Sequence, residues 1–206
     1  MANKNKPFER KLPSIEQLPK LLILCEDSES AKVYFDEAKH DYRLPNITVK
    51  HEDTCPKKSV EFAIKKQNEY DKIYCCIDGG DEHGHGNFDA ALELAKNNKN
   101  NIQIIASYPC FEFWLLLHFE KKRPGYTQGK AGSKAVITDL NKKDGMANYD
   151  KSRANTKGLF KQLKGRLDTA IANAQWAKLE AEKDNNKNPS TDVYRLLEQF
   201  KSLELK

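Results

Sequence analysis

The sequence predicts an α/β protein: an open, mainly parallel sheet flanked by helices, followed by a C-terminal helical extension. The first observation is a set of short β-forming runs, two of which, Leu21–Cys25 and Ile73–Ile77, are apolar throughout. The second is that a stretch of helical period follows each run, an order typical of a parallel sheet covered on both faces. The third is a change of composition beyond Glu120, where a polar, glycine-containing segment precedes a long helical pattern.

The elements of the first two-thirds follow in order. Strands are predicted at 21–25, 47–51, 73–77 and 102–106. Ser28 or Ser30 offers an N-cap for the first helix. Pro56 suits the first position of the second helix, and Asn87 is expected to cap the third. A fourth, strongly apolar helix is predicted from Phe111 to Phe119, with Trp114 and His118 in core packing.

The extension is predicted to be helical. A short helix is expected over 133–141 and a long one over 152–182. Ser190 or Thr191 is expected to cap a last helix. The apolar stripe of the long helix consists of Phe160, Leu163, Leu167, Ile171 and Ala174. The predicted organisation is an N-terminal tail at 1–20, an α/β domain at 21–120, and a loop and helical extension packed on it at 121–206.

Composition sets outer limits without choosing a function. The chain has 206 residues, 35 basic and 30 acidic, a net charge of +5, and a mean hydropathy of −0.80. No apolar run approaches the roughly 20 residues that span a bilayer, and residues 1–20 lack a signal-peptide core. Five irregularly spaced cysteines indicate reduced thiols. We therefore expect a soluble, cytoplasmic protein without a membrane partner, whose charge is compatible with a polyanionic one.

A basic stripe flanks the apolar stripe of the predicted long helix: Arg153, Lys157, Lys161 and Lys164. Its position beside the apolar stripe makes it a candidate contact for nucleic-acid phosphates. An ordinary solvated helix face explains it at least as well.

The most informative segment follows the third predicted strand. Five ionisable residues are crowded there among four glycines: Asp78, Asp81, Glu82, His83 and His85. Glycine lets the backbone turn tightly and approach a ligand, and carboxylate oxygens suit Mg²⁺ or Mn²⁺. Taken alone, such a loop is more typical of a solvated polar turn.

Carboxylates also follow two other predicted strands. The first strand ends at Glu26 and Asp27, and the fourth is followed by Ser107 and Glu112. Ligands of open parallel sheets bind at the carboxyl ends of the strands, and carboxylates gathered there repel one another unless a cation or a proton compensates them. This convergence favours a metal site. If these strands are neighbours, Glu26, Asp78 and Asp81 surround one pocket. The expected pocket-lining residues are Asp27, Glu82, Ser107 and Glu112.

The same segments resemble the RloB family, within the Toprim superfamily of metal-dependent nucleases, topoisomerases and primases. The resemblance extends from about Leu21 to Phe200. The most specific matching segment is Ser107–Phe119. The others are Leu22–Glu26 followed by Tyr34-Phe35, the loop Asp78–His83 followed by Phe88–Leu92, and the segments Ala170–Ala174 and Asn188–Tyr194.

This resemblance implies a Toprim-like fold and Mg²⁺-dependent cleavage of a nucleic-acid backbone. It implies that Asp78 and Asp81 hold the cation and that Glu26 is a further ligand or the general base. His83 would be a proton donor or an outer partner of the metal, although a histidine on a surface loop is often only solvated. The pattern departs from the Toprim Asp-x-Asp pair, because Gly80 stands where the second aspartate is expected.

The resemblance also implies a partner. RloB-like proteins resemble components of anti-phage defence, related to abortive infection, whose relatives are encoded beside an ABC- or SMC-like ATPase. The 206 residues contain no Gly-x-x-x-x-Gly-Lys-Ser/Thr loop, so ATP hydrolysis would belong to that partner. The alternative hypothesis is a non-catalytic binding or regulatory module of a defence complex. The sequence leaves open whether the substrate is DNA or RNA, tRNA included, and whether the chain is a monomer or a homo-oligomer.

A local similarity to cyclic-dinucleotide synthases is weak. The residues Gly79–His83 approach the Gly-Gly-Asp-Glu-Phe signature of those enzymes but end in histidine. That signature lies on a hairpin between two strands, whereas a helix is predicted to follow here.

Overall fold

A computed structural model describes residues 18–52, 55–79, 85–98 and 101–204. Its centre is a five-stranded sheet in the order β2-β1-β3-β4-β5, in which β1 to β4 are parallel and β5 is antiparallel. The strands are β1 Leu21–Cys25, β2 Ile47–His51, β3 Lys72–Asp78, β4 Ile102–Tyr108 and β5 Ser190–Thr191. The predicted α/β class with an open, mainly parallel sheet is confirmed.

The helices complete the architecture. They are α1 Ala31–Asp41, α2 Pro56–Lys66, α3 His85–Asn97, α4 Glu112–Leu116, α5 Gly129–Leu140, α6 Arg153–Thr156, α7 Leu159–Leu163, α8 Leu167–Lys183 and α9 Val193–Leu203, with a 3₁₀ turn at Lys164–Arg166. No helix in the described parts of the chain is long and apolar enough to span a bilayer.

The two faces of the sheet build two separate apolar cores. Because side chains alternate across a strand, neighbouring residues of β3 go to opposite faces. Cys75 packs with α2 and α3, whereas Cys76 packs with α1 and the C-terminal helices. All five cysteines are free thiols, as expected. The larger core contains most of the buried apolar residues of 159–200, so the C-terminal helices pack directly on the sheet.

The single long helix predicted over 152–182 is wrong. Gly158 interrupts it with a left-handed φ of +84°, which glycine adopts without steric cost. Glu37 of α1 then accepts hydrogen bonds from the backbone N–H groups of Gly158 and Phe160, the latter at 3.0 Å, and so caps α7. The predicted apolar stripe is nevertheless buried, because the broken segment follows the same core.

Three predicted helix ends are also wrong. Helix α3 begins at His85, so Asn87 lies inside it and does not cap it. Helix α4 ends at Leu116 instead of Phe119. Asp192, and neither Ser190 nor Thr191, holds the N-cap position of α9; Ser190 and Thr191 form β5 beside β4, and the Thr191 hydroxyl accepts the Val193 N–H at 3.2 Å.

His118 lies in the larger core, as predicted, with 2% of its surface exposed. Its Nδ1 donates to the Trp114 carbonyl at 3.1 Å, and its ring lies edge-on against the Trp114 ring, with 4.9 Å between centroids. Burial lowers the pKa of His118 to about 4. The imidazole is therefore neutral in the folded protein at physiological pH.

This histidine predicts a loss of stability in acid. Because its folded pKa lies below the value of about 6.5 for an unfolded chain, the stability that it contributes is present above pH ~6.5 and lost as the pH falls towards 4. We expect the substitution His118→Gln to remove roughly 3 kcal/mol of the difference in unfolding free energy between pH 7 and pH 4. Urea unfolding at both pH values measures it, and an unchanged pH dependence would contradict it.

Candidate functional site

The ends of β1 and β3 bring two of the predicted metal ligands together. The strands are adjacent, with Cys25 opposite Cys76, and the N–H of Glu26 donates to the Cys76 carbonyl at 3.2 Å. Oε2 of Glu26 in turn accepts the backbone N–H of Asp78 at 2.9 Å. Sheet register therefore fixes both carboxylates at one edge of the sheet.

Asp78 is oriented by the segment that follows β4. Its Oδ1 accepts the backbone N–H of Phe111 at 2.9 Å. Burial raises the pKa of the Asp78 carboxyl well above its usual range; Lys151 opposes this rise, whereas Glu112 and Glu26 add to it. The ionised form of Asp78 is therefore poorly compensated by the described residues around it.

Glu112 is a fully buried carboxylate at the start of α4, with 0% of its surface exposed. Its Oε1 accepts from the Tyr149 hydroxyl at 3.1 Å and from the Ser30 hydroxyl at 3.0 Å. The Lys151 ammonium lies 2.9 Å from its Oε2. A buried charge requires this kind of compensation, so Glu112 belongs to a built ion pair and not to a helix-capping position alone.

Lys151 completes this charged network, and the sequence did not predict its place there. Besides Glu112, its ammonium lies 3.9 Å from Oδ2 of Asp27. Burial alone would lower the pKa of Lys151, but the Glu112 and Asp78 carboxyls outweigh burial and raise it. Its backbone has a left-handed φ of +65°, a conformation that costs energy for a residue with a side chain. The Lys151 ammonium thus lies within an acidic cluster that includes the fully buried Glu112.

Asp27 links this cluster to the first helix. Its Oδ1 accepts the backbone N–H groups of Glu29 at 2.8 Å and of Ser30 at 2.6 Å, at the turn that leads into α1. Its Oδ2 accepts from the Ser30 hydroxyl. Since Ser30 also contacts Glu112, its single hydroxyl proton is shared between two carboxylates. The cluster is thus one connected hydrogen-bond network.

A small cavity of about 10 Å³ lies among these strand ends, with room for one atom or molecule about the size of water. Glu26, Asp27, Asp78 and Ser107 are among its lining residues, whereas Glu112 is not. Ser107 is buried and its hydroxyl is 2.8 Å from that of Thr191, so it ties β4 to β5.

The remaining predicted loop residues, Asp81, Glu82 and His83, lie outside the described residues, and their roles stay predictions. Within the described ranges, no group of three or more His, Cys, Asp or Glu side chains has a geometry that could hold a metal ion. Of the three expected metal ligands, the structure describes Glu26 and Asp78 but not Asp81.

The four residues of the predicted basic stripe do not share one helix. Arg153 begins α6, Lys157 follows it, Lys161 lies in α7, and Lys164 begins the 3₁₀ turn. The ammonium of Lys164 pairs with Asp41 Oδ2 at 2.6 Å. The prediction of a continuous basic stripe along one helix is therefore wrong, because the helix is broken.

Comparison with known families agrees with this geometry. The family model described as RloB-like protein matches residues 21–200. The chain belongs to the RloB-like family. Comparison with curated proteins and with solved structures gives no match in either set. The matched region of this RloB-like chain runs from β1 into α9 and contains every described residue of the carboxylate network.

The described residues of this RloB-like protein offer two of the carboxylate ligands that a hard divalent cation would need, Glu26 and Asp78. Two carboxylates meet at adjacent strand ends, beside a cavity of ion size. Burial, together with the neighbouring Glu112 and Glu26 carboxylates, raises the pKa of Asp78, so a cation bound beside it would stabilise its ionised form. Oxygen donors of this type are the ligands that Mg²⁺ and Mn²⁺ prefer.

Proposed function

We propose that this protein is a metal-dependent nuclease that hydrolyses phosphodiester bonds of DNA or RNA. The observation that carries the proposal is that Glu26 and Asp78 line one cavity at the carboxyl ends of two adjacent parallel strands, the edge at which such sheets bind their ligands. Lys151, itself paired with Glu112, adds a cation beside these carboxylates.

Glu26 and Asp78 would hold the Mg²⁺ or Mn²⁺ ion together with Asp81. When bound, the ion would stabilise the negative charge that develops on the scissile phosphate. The chain's own groups fix the geometry: the Phe111 N–H orients Asp78, and the Asp78 N–H orients Glu26. Glu26 is then a further ligand or the base that takes a proton from the attacking water.

We further propose a biological setting of anti-phage defence. It rests on the family, and it places an ABC- or SMC-like ATPase beside the chain as the source of ATP hydrolysis. Cytoplasmic location follows from the same setting. The supporting observation in the chain is modest: the net charge of +5 suits a polyanionic substrate.

The test is cleavage of plasmid, single-stranded DNA, total RNA and tRNA by the purified protein with Mg²⁺, Mn²⁺ or EDTA. We expect cleavage that requires the metal and that the substitution Glu26→Gln lowers at least about 100-fold, since it removes one charge from the site. The matched control is Glu61→Gln on α2, away from the site. The Glu61 carboxylate lies 3.9 Å from the ammonium of Lys57. Equal losses in both variants would contradict the assignment.

A second candidate function is a binding or regulatory module of the defence complex. The observation that favours it is the Lys151 ammonium, which already compensates Glu112 and Asp27 in a region where the described residues do not form a complete metal site. The two candidates differ in turnover. Stable association with the ATPase without hydrolysis of any substrate, even with ATP, would favour the module.

A further inference from the structure

A second cleft opens on the β2 side of the carboxylate network. It has a volume of about 430 Å³, within the size range of ligand pockets. It lies between the start of α1, the end of β2 and the start of α6. Its lining residues are Ser28, Glu29, Lys32, Val33, Val49, Lys50, His51 and Arg153. We call it the basic cleft.

The charge of the basic cleft is positive. Three of its described lining residues are cationic: Lys32, Lys50 and Arg153. Glu29 is the one acidic residue among the described residues that line it. Lys50 and Arg153 are exposed, whereas Lys32 is half-buried and its ammonium lies 2.7 Å from Asp36 Oδ2. The two exposed cations therefore provide most of the available charge.

His51 adds a polar group to the same cleft. Its Nδ1 is 3.1 Å from the Cys25 carbonyl oxygen, so Nδ1 donates and carries the proton. This bond fixes the imidazole at the carboxyl end of β2 beside β1. The cleft thus combines two exposed cations with a hydrogen-bonded imidazole, a combination suited to a phosphate group and not to an apolar ligand.

The basic cleft adjoins the candidate active site along the chain and in space. Glu29 follows Asp27 by two residues, and Arg153 follows Lys151 by two residues. A site rich in carboxylates repels a polyanion. A phosphodiester strand that reaches Asp78 therefore needs cations directly beside it, and the basic cleft supplies them.

We propose that the basic cleft binds the sugar-phosphate backbone of the nucleic-acid substrate next to the scissile phosphate. The proposal rests on the proposed function, because it assigns the substrate-binding surface of that same site. This surface replaces the basic stripe that the sequence predicted as the nucleic-acid contact. Arg153 keeps that role together with Lys50, whereas Lys157, Lys161 and Lys164 do not line the basic cleft.

The test measures binding separately from cleavage. Fluorescently labelled single-stranded DNA, single-stranded RNA and duplex DNA are titrated with the full chain in EDTA, and anisotropy is followed at several salt concentrations. The cleft variant is Lys50→Glu/Arg153→Glu. The matched control is Lys157→Glu/Lys161→Glu, which reverses the same number of charges at exposed positions outside the cleft.

We expect the cleft variant to weaken oligonucleotide binding at least about tenfold at low salt and to reduce the slope of log affinity against log salt by about 1 to 2. The control should change affinity by less than about threefold, because it alters only the long-range field. Equal losses in the two variants, unchanged binding in the cleft variant, or no binding by the wild type would overturn the proposal. Displacement of the labelled oligonucleotide by 5′-AMP at a similar concentration would also overturn the proposal.

The outcomes separate this inference from the proposed function. Cleft-dependent binding without hydrolysis under any metal condition would support the cleft and contradict the nuclease. Metal-dependent cleavage that the cleft variant retains in full would support the nuclease and overturn the cleft.

Discussion

The substitution Asp78→Asn should lower the rate of nucleic-acid cleavage by about 10³-fold and leave the fold at least as stable as the wild type. The rate falls because an amide is a much weaker ligand for a hard cation than a carboxylate, and the stabilisation lost would be about 4 kcal/mol. In the wild type, Oδ1 of Asp78 accepts the Phe111 N–H at 2.9 Å. The fold should persist because the amide oxygen of asparagine can accept the same N–H. Burial raises the pKa of Asp78, so the variant also loses a charge that the site compensates poorly.

Two measurements check this expectation: single-turnover cleavage with Mg²⁺ or Mn²⁺, and urea unfolding in EDTA. Asp71→Asn is the matched control, because Asp71 precedes the opposite end of β3 and its Oδ2 accepts the Lys20 N–H at 2.6 Å. A variant at Asp78 that unfolds more easily than the wild type would show a structural role, and retained cleavage would remove Asp78 from the site.

The strands were predictable because their signals are local. The residues of β1 and β2 are predicted to the residue, since each run of β-forming residues is bounded by polar or turn residues. Their parallel arrangement follows from the helices between them. The meeting of Glu26 and Asp78 was therefore also predictable, because adjacent parallel strands end at the same edge.

The C-terminal part was harder because long-range contacts decide it. The apolar stripe of 160–174 is compatible with one continuous helix, and only Glu37, 121 residues before Gly158, shows where the break is capped. β5 has two residues, which is too short for a periodic signal. Its pairing with β4 depends on the Ser107–Thr191 contact across the sheet.

Lys151 could not be found from its sequence context. It lies in a polar loop among other charged residues, and only the fold brings it to Glu112, 39 positions earlier in the chain. One signal was available in hindsight: Phe111–Phe119 is a strongly apolar segment that carries a glutamate at its second position. A carboxylate buried in such a segment needs a cationic partner from elsewhere in the chain.

The ion pair itself gives the second large effect. We expect Lys151→Met to lower the free energy of unfolding in EDTA by about 2–3 kcal/mol, because it leaves the buried Glu112 carboxylate without its cation. This is less than the about 3–5 kcal/mol of a fully buried pair, since 32% of the Lys151 side chain is exposed. Urea unfolding measures the loss.

The double variant Lys151→Met/Glu112→Gln identifies the cause of that loss. Glutamine keeps an oxygen that accepts from Ser30 and Tyr149, and it removes the charge that Lys151 compensates. We therefore expect the double variant to regain most of the stability that Lys151→Met loses, giving a favourable coupling of about 2 kcal/mol between the two positions. Additive losses would mean that Lys151 stabilises the loop by packing alone.

If the network is a compensated cation site, Mg²⁺ should also raise the unfolding midpoint of Lys151→Met by more than that of the wild type, because the cation then supplies the charge that the ammonium no longer provides.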